Sequence, residues 1–400
     1  MTGLSFRKRG EVRLTGLVLL VLACGDRFGQ NSKVDLASSA AEVPHTAGAS
    51  RWSVEHAGAW YKAKPWPVGC NFIPSTAINQ LEMWQPETFD PATIDRELGW
   101  AQQLGFNSVR VFLHNLPWQE DGEGFLKRMG QFLDLAEQHR IGVMFVLFDG
   151  CWDPFPKTGP QREPAPHVHN SGWVQSPGLE ILKNPARQDE LEGYVKGVLG
   201  RFKTDRRILA WDIFNEPDNP NRPAYVATEA PNKPELALVL LRKAFAWARE
   251  VAPAQPLTVG VWIGQWGATT QLSPMEEFIL NQSDIISFHN YGGPDEMRQC
   301  VQNLRRFHRP ILCSEYMARP RGSTFDPILG YLKEQKVGAF NWGFVSGKTQ
   351  TIYAWDSWEK IYAVEPPIWF HDILRKDGTP FDSNEAAYIK SVTQGRGKAK

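Results

Sequence analysis

The sequence predicts an α/β chain that folds as one (β/α)8 barrel, a TIM barrel with a single large domain. Eight short apolar runs recur between residues 66 and 342, and stretches of helical spacing separate most of them. Most of these runs are nearly continuous in apolar residues, which is typical of parallel strands covered on both faces. Strands and helices that alternate eight times are the pattern of a closed parallel barrel.

The predicted strands and helices follow one another along most of the chain. The predicted strands are Val68–Phe72, Ser108–Leu113, Gly142–Phe148, Ile208–Phe214, Leu257–Val261, Asp284–Phe288, Pro310–Ser314 and Gly338–Trp342. The predicted helices are Pro91–Leu104, Phe125–His139, Gln188–Phe202, Glu235–Val251, Asp295–Phe307 and Phe325–Gln335. Glycine or proline follows several of these helices and marks where they end.

An open doubly wound sheet is the alternative architecture. Such a sheet normally carries a glycine-rich phosphate turn after its first strand, and Gly69-Cys70-Asn71-Phe72 is not one. The longest gap between predicted strands contains residues 151–185, which are rich in proline, histidine and tryptophan. A loop of this length in a compact domain is usually functional, so we expect a lid or a wall of a binding subsite.

The two ends of the chain are predicted to lie outside this domain. Residues 1–24 combine basic residues with the apolar run Leu14–Ala23, which suits a secretory signal and is too short to span a bilayer. The end of this run, Val21-Leu22-Ala23-Cys24, resembles a bacterial lipobox, so a lipid on Cys24 is one interpretation and ordinary cleavage nearby is the other. We expect a flexible tether over 25–51, the barrel domain over 52–393 and a basic disordered tail over 394–400.

Composition narrows the class of partner. Lys+Arg and Asp+Glu are both 44, and this balance argues against a protein that binds nucleic acid by neutralising phosphates. Sixteen tryptophans favour a sugar or an aromatic ligand, because tryptophan offers a flat apolar face. We expect a monomer that needs no cofactor and binds no metal. The cysteines after Cys24 show no metal-binding spacing, and buried free thiols are the expectation for Cys70, Cys151, Cys300 and Cys313.

Polar residues follow the predicted strands at the end where a barrel of this type places its site. These strand ends read Arg110-Val111-Phe112-Leu113-His114-Asn115, Phe148-Asp149, Asn215-Glu216, His289-Asn290-Tyr291, Glu315-Tyr316 and Asn341-Trp342. Two carboxylates, Glu216 and Glu315, would face each other across the mouth of the barrel. Glycoside cleavage needs such a pair, one protonated and one ionised, and a separation of about 5 Å would imply retention of configuration.

The order of these motifs resembles glycoside hydrolase clan A, most closely glycoside hydrolase family 5, the cellulase family. The motifs are Asn215-Glu216-Pro217, His289-Asn290-Tyr291 and Ser314-Glu315-Tyr316, and the resemblance covers roughly residues 66–385. It implies a retaining β-glycoside hydrolase that cleaves β-linked oligo- or polysaccharide by double displacement, and the predicted signal implies that this enzyme is exported, to be periplasmic, secreted or lipid-anchored. β-1,4-Linked glucan, mannan and xylan are the substrates that it suggests first.

The resemblance also assigns roles to single residues. It makes Glu216 the acid/base and Glu315 the nucleophile. Asn215 would hold the sugar 2-hydroxyl, and Arg110 and Tyr291 would position and ionise Glu315. His289 would line the acid/base side, and Trp342 would form the floor of the subsite for the cleaved sugar.

The third strand departs from the family pattern. Family members often end it with a histidine that contacts the cleaved sugar, whereas this chain has Phe148-Asp149-Gly150-Cys151-Trp152. Asp149 would either take over a hydroxyl contact or cap the next turn. The departure leaves the substrate open, and the long loop that follows could close the cleft into a pocket for exo action.

Structural interpretations compete with these functional ones. Glu216 and Glu315 could be salt-bridged carboxylates, and Arg110, His289 and Trp342 could be ordinary scaffold or core residues. His167 and His169 lie two apart in the long loop, where solvated histidines are more common than a metal site. For the whole protein, the alternative is a surface lipoprotein that binds glycans on a barrel without activity.

Overall fold

The computed structural model describes residues 50–395 of the chain. The predicted signal peptide, Cys24 with its proposed lipid, the tether up to residue 49 and the tail from residue 396 lie outside the described residues. Within the described part, no helix combines the length and the apolar character that crossing a membrane would require.

Parallel strands form one sheet that curls into a nearly closed barrel, and helices surround it. The strands are β1 (Val68–Asn71), β2 (Ser108–Phe112), β3 (Gly142–Asp149), β4 (Ile208–Asn215), β5 (Leu257–Thr258), β6 (Gly260–Val261), β7 (Ile286–His289), β8 (Ile311–Glu315) and β9 (Gly338–Asn341). Their order in the sheet is β5-β4-β3-β2-β1-β9-β8-β7-β6. The predicted (β/α)8 barrel is therefore confirmed.

The fifth strand of the barrel is divided into β5 and β6. Leu257 and Thr258 pair with β4, whereas Gly260 and Val261 pair with β7. Val259 lies between the two short pieces, so this barrel position bonds first to one neighbour and then to the other. The sequence predicts one continuous strand here, because Leu257–Val261 is a single apolar run.

Twelve α-helices are present in the described residues. They are α1 (Val54–Lys62), α2 (Gln80–Trp84), α3 (Pro91–Gln103), α4 (Asn115–Glu120), α5 (Gly122–Gln138), α6 (Leu179–Leu182), α7 (Glu192–Phe202), α8 (Lys233–Val251), α9 (Pro274–Gln282), α10 (Pro294–Leu304), α11 (Phe325–Glu334) and α12 (Ser383–Thr393). The six predicted helices correspond to α3, α5, α7, α8, α10 and α11. The others are mostly short or lie at the ends of the domain, where apolar periodicity gives little signal.

The N-terminal end of the barrel is covered by α1. Ala57 is fully buried there, and Trp52 and Trp60 pack on the same apolar cluster as Met144 and Phe340. This cluster leaves the opposite end of the barrel as the open one. The four cysteines of the described residues are buried and free, as expected: Cys70, Cys151, Cys300 and Cys313.

Two long segments meet over the C-terminal end of the barrel. The loop after β3 and the segment after β9 are joined by the Asn170 N–H, which donates to the Thr349 carbonyl at 2.8 Å, and by the His169 N–H, which donates to Ser357 Oγ at 3.0 Å. The loop after β3 therefore crosses over the ends of β1 and β2. It is held as a wall, because its backbone N–H groups donate to a carbonyl and to a side-chain hydroxyl of the facing segment.

Candidate active site

Seven of the eight predicted site residues end a strand or follow one, and the eighth, Arg110, lies within β2. Arg110 is on β2, Asp149 ends β3, Asn215 ends β4 and Glu216 follows it. His289 ends β7 with Tyr291 two residues later, Glu315 ends β8 and Trp342 follows β9. The parallel barrel brings these positions together because all strand ends meet at the same rim.

The guanidinium of Arg110 connects both sides of the rim. Its Nη1 donates to Glu315 Oε1 at 2.7 Å and to Asn71 Oδ1 at 2.8 Å. Its Nη2 donates to Asn215 Oδ1 at 2.7 Å and to Asp212 Oδ2 at 2.8 Å. Arg110 is fully buried, so these bonds and the two carboxylates offset the cost of removing its charge from water.

Glu315 is surrounded by donors. Besides Arg110, the hydroxyl of Tyr291 donates to Glu315 Oε2 at 2.7 Å. Burial raises the pKa of Glu315, while the charge of Arg110 and the hydroxyl of Tyr291 act against this rise. A carboxylate that accepts from a guanidinium and a hydroxyl is favoured in its ionised form. Glu315 is therefore the better candidate of the two for the charged carboxylate.

Glu216 has neutral partners instead. Its Oε2 accepts from Asn219 Nδ2 at 2.6 Å and lies 3.3 Å from Cys151 Sγ, and its Oε1 lies 2.7 Å from His289 Nδ1. Burial raises the pKa of Glu216. Burial also lowers the pKa of His289 to about 4, so this imidazole is neutral at neutral pH and does not supply a positive charge. Glu216 is therefore the better candidate for the protonated carboxyl.

Gly260 makes room for the ring of His289. A Cβ at Gly260 would lie 2.8 Å from His289 Nε2, which is too close for any other residue without displacement of the ring. Gly150 plays a similar part beside Glu216, because a Cβ there would lie 2.2 Å from the Glu216 carbonyl oxygen. Both glycines let backbone or ring atoms approach the acid/base side of the rim closely.

The two carboxylates are close together. Glu216, His289 and Glu315 each place one oxygen or nitrogen within 4.8 Å of the others. This separation fits the shorter distance of about 5 Å that accompanies retention, rather than the longer distance that accommodates a water between the carboxyls. The same three atoms are the only such group of potential metal ligands in the described part of the chain.

His167 and His169 do not form a second group of this kind within residues 50–395. His169 Nδ1 lies 2.8 Å from the Tyr353 carbonyl, and His167 Nδ1 lies 2.5 Å from the Tyr362 carbonyl. His169 is buried and His167 is half-buried. The interpretation of solvated loop histidines is therefore wrong: both rings join the loop after β3 to the segment after β9.

Asp149 and Asn215 are linked to each other. Asp149 Oδ1 accepts from Asn215 Nδ2 at 3.0 Å and from the Cys151 N–H at 3.0 Å, and its Oδ2 accepts from Gln80 Nε2 and Trp173 Nε1. Burial raises the pKa of Asp149 to about 6. Asp149 accepts from four protein donors and is only 1% exposed, so little of its carboxylate is left for a sugar. These contacts favour the turn-capping interpretation of Asp149 over a direct sugar contact.

Aromatic side chains surround the rim. Trp342 is half-buried, and its ring meets those of Phe112 and Trp173 edge to face, each at 5.6 Å between centroids. A small cavity next to Trp342 is also lined by Asn71. Farther out, Trp152 stacks on Trp358 at 5.5 Å between ring centroids. A half-buried aromatic ring such as that of Trp342 can stack on the apolar face of a sugar.

Four residues of the site are absent from the site that the sequence predicts. Asp212 is fully buried and binds Arg110, and Asn71 shares Nη1 of Arg110 with Glu315. Cys151 and Asn219 both contact Glu216. A signal existed for Asp212, because an acid inside an apolar strand needs a buried partner. Asn219 and Cys151 lie in irregular loops, and no pattern brings them to Glu216.

Comparisons with known proteins relate this chain to glycoside hydrolases. The model of the Glycosyl hydrolase family 10 matches residues 166–263. A mannan endo-1,4-β-mannosidase from Mytilus edulis is 25% identical over 150 residues, which are 34% of this chain and 36% of that protein. This chain therefore matches only about a third of the length of that curated relative.

Solved structures share the fold over most of the chain. A GH5_18 protein from Streptomyces cattleya in complex with Manβ1-4GlcNAc has a TM-score of 0.55 at 14% identity, over 84% of this chain and 82% of that one. The endo-1,4-β-mannanase from Rhizomucor miehei has a TM-score of 0.54 at 14% identity, over 87% and 98%. The exo-β-1,4-mannosidase Op5Man5 from Opitutaceae bacterium strain TAV5 has a TM-score of 0.54 at 18% identity, over 82% and 59%.

The family model represents family 10 and the Streptomyces cattleya structure is a GH5_18 protein, whereas the other matches are described by activities on β-linked mannose. With the strand-end motifs and the barrel, they confirm the resemblance of this chain to glycoside hydrolase clan A.

Proposed function

We propose that this protein is a retaining β-glycoside hydrolase of the family 5 type, with Glu216 as the acid/base and Glu315 as the nucleophile. One observation supports this most: two buried carboxylates whose oxygens lie within 4.8 Å have opposite kinds of partner. Glu315 accepts from a guanidinium and a phenol, whereas Glu216 has a neutral amide, a thiol and a neutral imidazole. This is the division of protonation states that double displacement requires.

In the first step, an oxygen of Glu315 attacks the anomeric carbon of the bound sugar. The bond from that carbon to the leaving oxygen breaks, and the proton of Glu216 passes to the leaving oxygen. The products are a glycosyl ester on Glu315 and the released alcohol. Arg110 and Tyr291 keep the attacking carboxylate charged and oriented before the step.

In the second step, Glu216 is ionised and takes a proton from water. The water oxygen attacks the anomeric carbon from the side that the leaving group vacated, and Glu315 departs as a carboxylate. Each step inverts the anomeric centre, so the product keeps the configuration of the substrate. Neither step calls for a cofactor. Asn215 would hold the 2-hydroxyl, and Trp342 would lie against the ring of the cleaved sugar.

For the substrate, we propose a saccharide with β-linked mannose. The support comes from the relatives: the curated match is a mannan endo-1,4-β-mannosidase, and structures with the same fold include mannanases and an exo-β-1,4-mannosidase. Clan membership alone supports glucan and xylan equally well. The wall formed by the loop after β3 and the segment after β9 narrows the mouth, which favours short chains or chain ends.

Turnover of a panel of substrates tests the proposal. Purified full-length protein is given aryl β-mannoside, β-glucoside and β-xyloside, together with β-1,4-mannan, and released phenol and reducing ends are measured. We expect turnover with the mannoside, loss of it in Glu315→Ala, and no loss in Glu334→Ala, which removes an exposed glutamate of α11. If the wild-type protein cleaves none of these substrates, the result would contradict the proposed reaction and favour a glycan-binding protein.

Export is a separate proposal. We infer from residues 1–24 that the chain leaves the cytoplasm, and that Cys24 receives a lipid that holds the barrel at the cell envelope. Metabolic labelling with a fatty acid in a bacterial host tests this. We expect label in the wild-type protein and none in Cys24→Ser; label in neither would contradict the lipid and leave ordinary cleavage.

A further inference from the structure

Cys151 lies directly against the proposed acid/base. It follows Gly150 after the end of β3, its side chain is almost fully buried, and its Sγ is 3.3 Å from Glu216 Oε2. This position belongs to the stretch where the chain departs from the family pattern. The mechanism above assigns it no part.

The surroundings of the sulfur set the direction of its hydrogen bond. Asn215 Nδ2 and Asn219 Nδ2 each lie 3.5 Å from Sγ, and an amide N–H can only donate. The sulfur therefore accepts from both amides, and Glu216 Oε2 is the acceptor left for its own hydrogen. Burial raises the pKa of Cys151 well above its usual value, so the thiol keeps this hydrogen.

The other oxygen of Glu216 faces the reaction centre. Oε1 lies 2.7 Å from His289 Nδ1, and that nitrogen is 3.6 Å from Glu315 Oε2. Oε2 already accepts from Asn219 and from the thiol, so a proton on Oε2 would compete with two donors. The proton of Glu216 is thus favoured on Oε1, the oxygen on the side of Glu315.

We infer that Cys151 is a positioning residue for the acid/base: its S–H holds Glu216 Oε2 so that Oε1 carries the proton toward the glycosidic oxygen. The inference rests on the proposed function and deepens it. It also gives the altered end of the third strand a role, because the residue there acts on the catalytic carboxyl through a hydrogen bond instead of contacting the sugar. Serine can replace the donor, whereas alanine and valine cannot.

Loss of the donor has a defined effect on protonation. A hydrogen bond donated to a carboxylate favours the charged form, so removing it raises the pKa of Glu216. The Cys151 variants change no other titratable or charged residue around Glu216. These residues are Arg110 on β2, Asp149 on β3, Asp212 on β4, Asp218 in the loop after β4, Lys233 on α8, His289 and Tyr291 at the end of β7, and Glu315 on β8. A shift can therefore be attributed to the thiol.

The pH profile of kcat/KM on an aryl β-glycoside tests the inference. In Cys151→Ala we expect the alkaline limb to move up by about 0.5–1 pH unit, because a bond to a charged group is lost and the thiol is a weak donor. In Cys151→Ser the limb should stay near its wild-type position. Cys70→Ala removes a buried thiol of β1 and should leave the limb unchanged. If Cys151→Ala gives little folded protein, Cys151→Val restores the volume without a donor.

Two outcomes overturn the inference: an alkaline limb in Cys151→Ala that coincides with the wild type, or an equal shift in Cys151→Ser. If the wild-type protein lacks turnover, the proposed function fails, and the thiol is tested by NMR instead. Glutamate labelled with ¹³C at the carboxyl reports the titration of Glu216, assigned with Glu216→Gln. The same upward shift in Cys151→Ala supports the role of the thiol, and identical titrations refute it.

Discussion

The two carboxylates of the rim are alike in type and burial, but their hydrogen-bond partners differ. Glu315 is 4% exposed and binds Arg110 and Tyr291, whereas Glu216 is 7% exposed and binds Asn219, Cys151 and His289. Burial raises the pKa of both. The difference teaches that burial alone does not divide the roles: a fixed positive charge beside Glu315 and neutral partners around Glu216 do.

Removal of the nucleophile gives the largest expected effect. In Glu315→Ala, kcat/KM should fall by at least about 10⁴-fold, because no other carboxylate can attack the anomeric carbon. Added azide should restore turnover, because it can attack the anomeric carbon from the side where Glu315 was. Attack from that side converts a β-glycoside into the α-glycosyl azide. The azide product is identified by NMR. A β-azide would reverse the two assignments.

Removal of the acid/base should lower kcat/KM less than removal of the nucleophile, and the size of the decrease should depend on the leaving group. In Glu216→Ala we expect kcat/KM to fall by about 10²–10⁴-fold for a substrate with a poor leaving group, which is the range for a missing general acid. A dinitrophenyl glycoside needs no proton on departure and should be cleaved far better. Comparison of the two substrates measures this. Equal losses would show that Glu216 is not the acid.

Arg110→Lys tests the charge that distinguishes the two sides. Lysine keeps a positive charge but cannot reproduce the fork that binds Asp212, Asn215 and Glu315. We expect about a 10²-fold fall in kcat/KM from displaced groups and a decrease of about 3 kcal/mol in the free energy of unfolding. Activity and urea denaturation are the measurements. Arg187→Lys, at an exposed surface position, is the matched control and should change neither.

Tyr291→Phe should produce the smallest effect and a specific one. The phenol favours the ionised form of Glu315, so its loss raises the pKa of Glu315 and moves the acid limb of the pH profile to higher pH, by about one unit. The fall in kcat/KM should be about tenfold. The alkaline limb should stay in place, in contrast to Cys151→Ala. Movement of both limbs together would mean that the two carboxyls titrate as one coupled pair.

Much of the barrel could be predicted from the sequence because its signals are local. A continuous apolar run such as Gly142–Phe148 and an amphipathic stretch such as Phe125–His139 each report their own burial. The closed topology then places residues far apart in sequence, such as Arg110 and Glu315, at one rim. Their roles in catalysis stay predictions, since no comparison tests them.

The remaining parts depend on contacts that no local pattern encodes. The fifth strand changes partner from β4 to β7 within five residues, and a single apolar run does not report this change. Asn219 and Cys151 reach Glu216 through irregular loops, and the wall over β1 and β2 depends on pairings such as His169 with Ser357. Such features arise from three-dimensional packing between distant segments, which periodicity does not report.

The divided fifth strand gives the barrel a seam. Two residue pairs join β5 to β4 and two join β6 to β7, so the strand changes its pairing partner at Val259 after only a short ladder on each side. Backbone amides there should exchange with solvent sooner than those of β3 or β4. Since His289 rests against Gly260 at this seam and touches Glu216, local opening of the barrel and loss of the acid/base environment would be a single event.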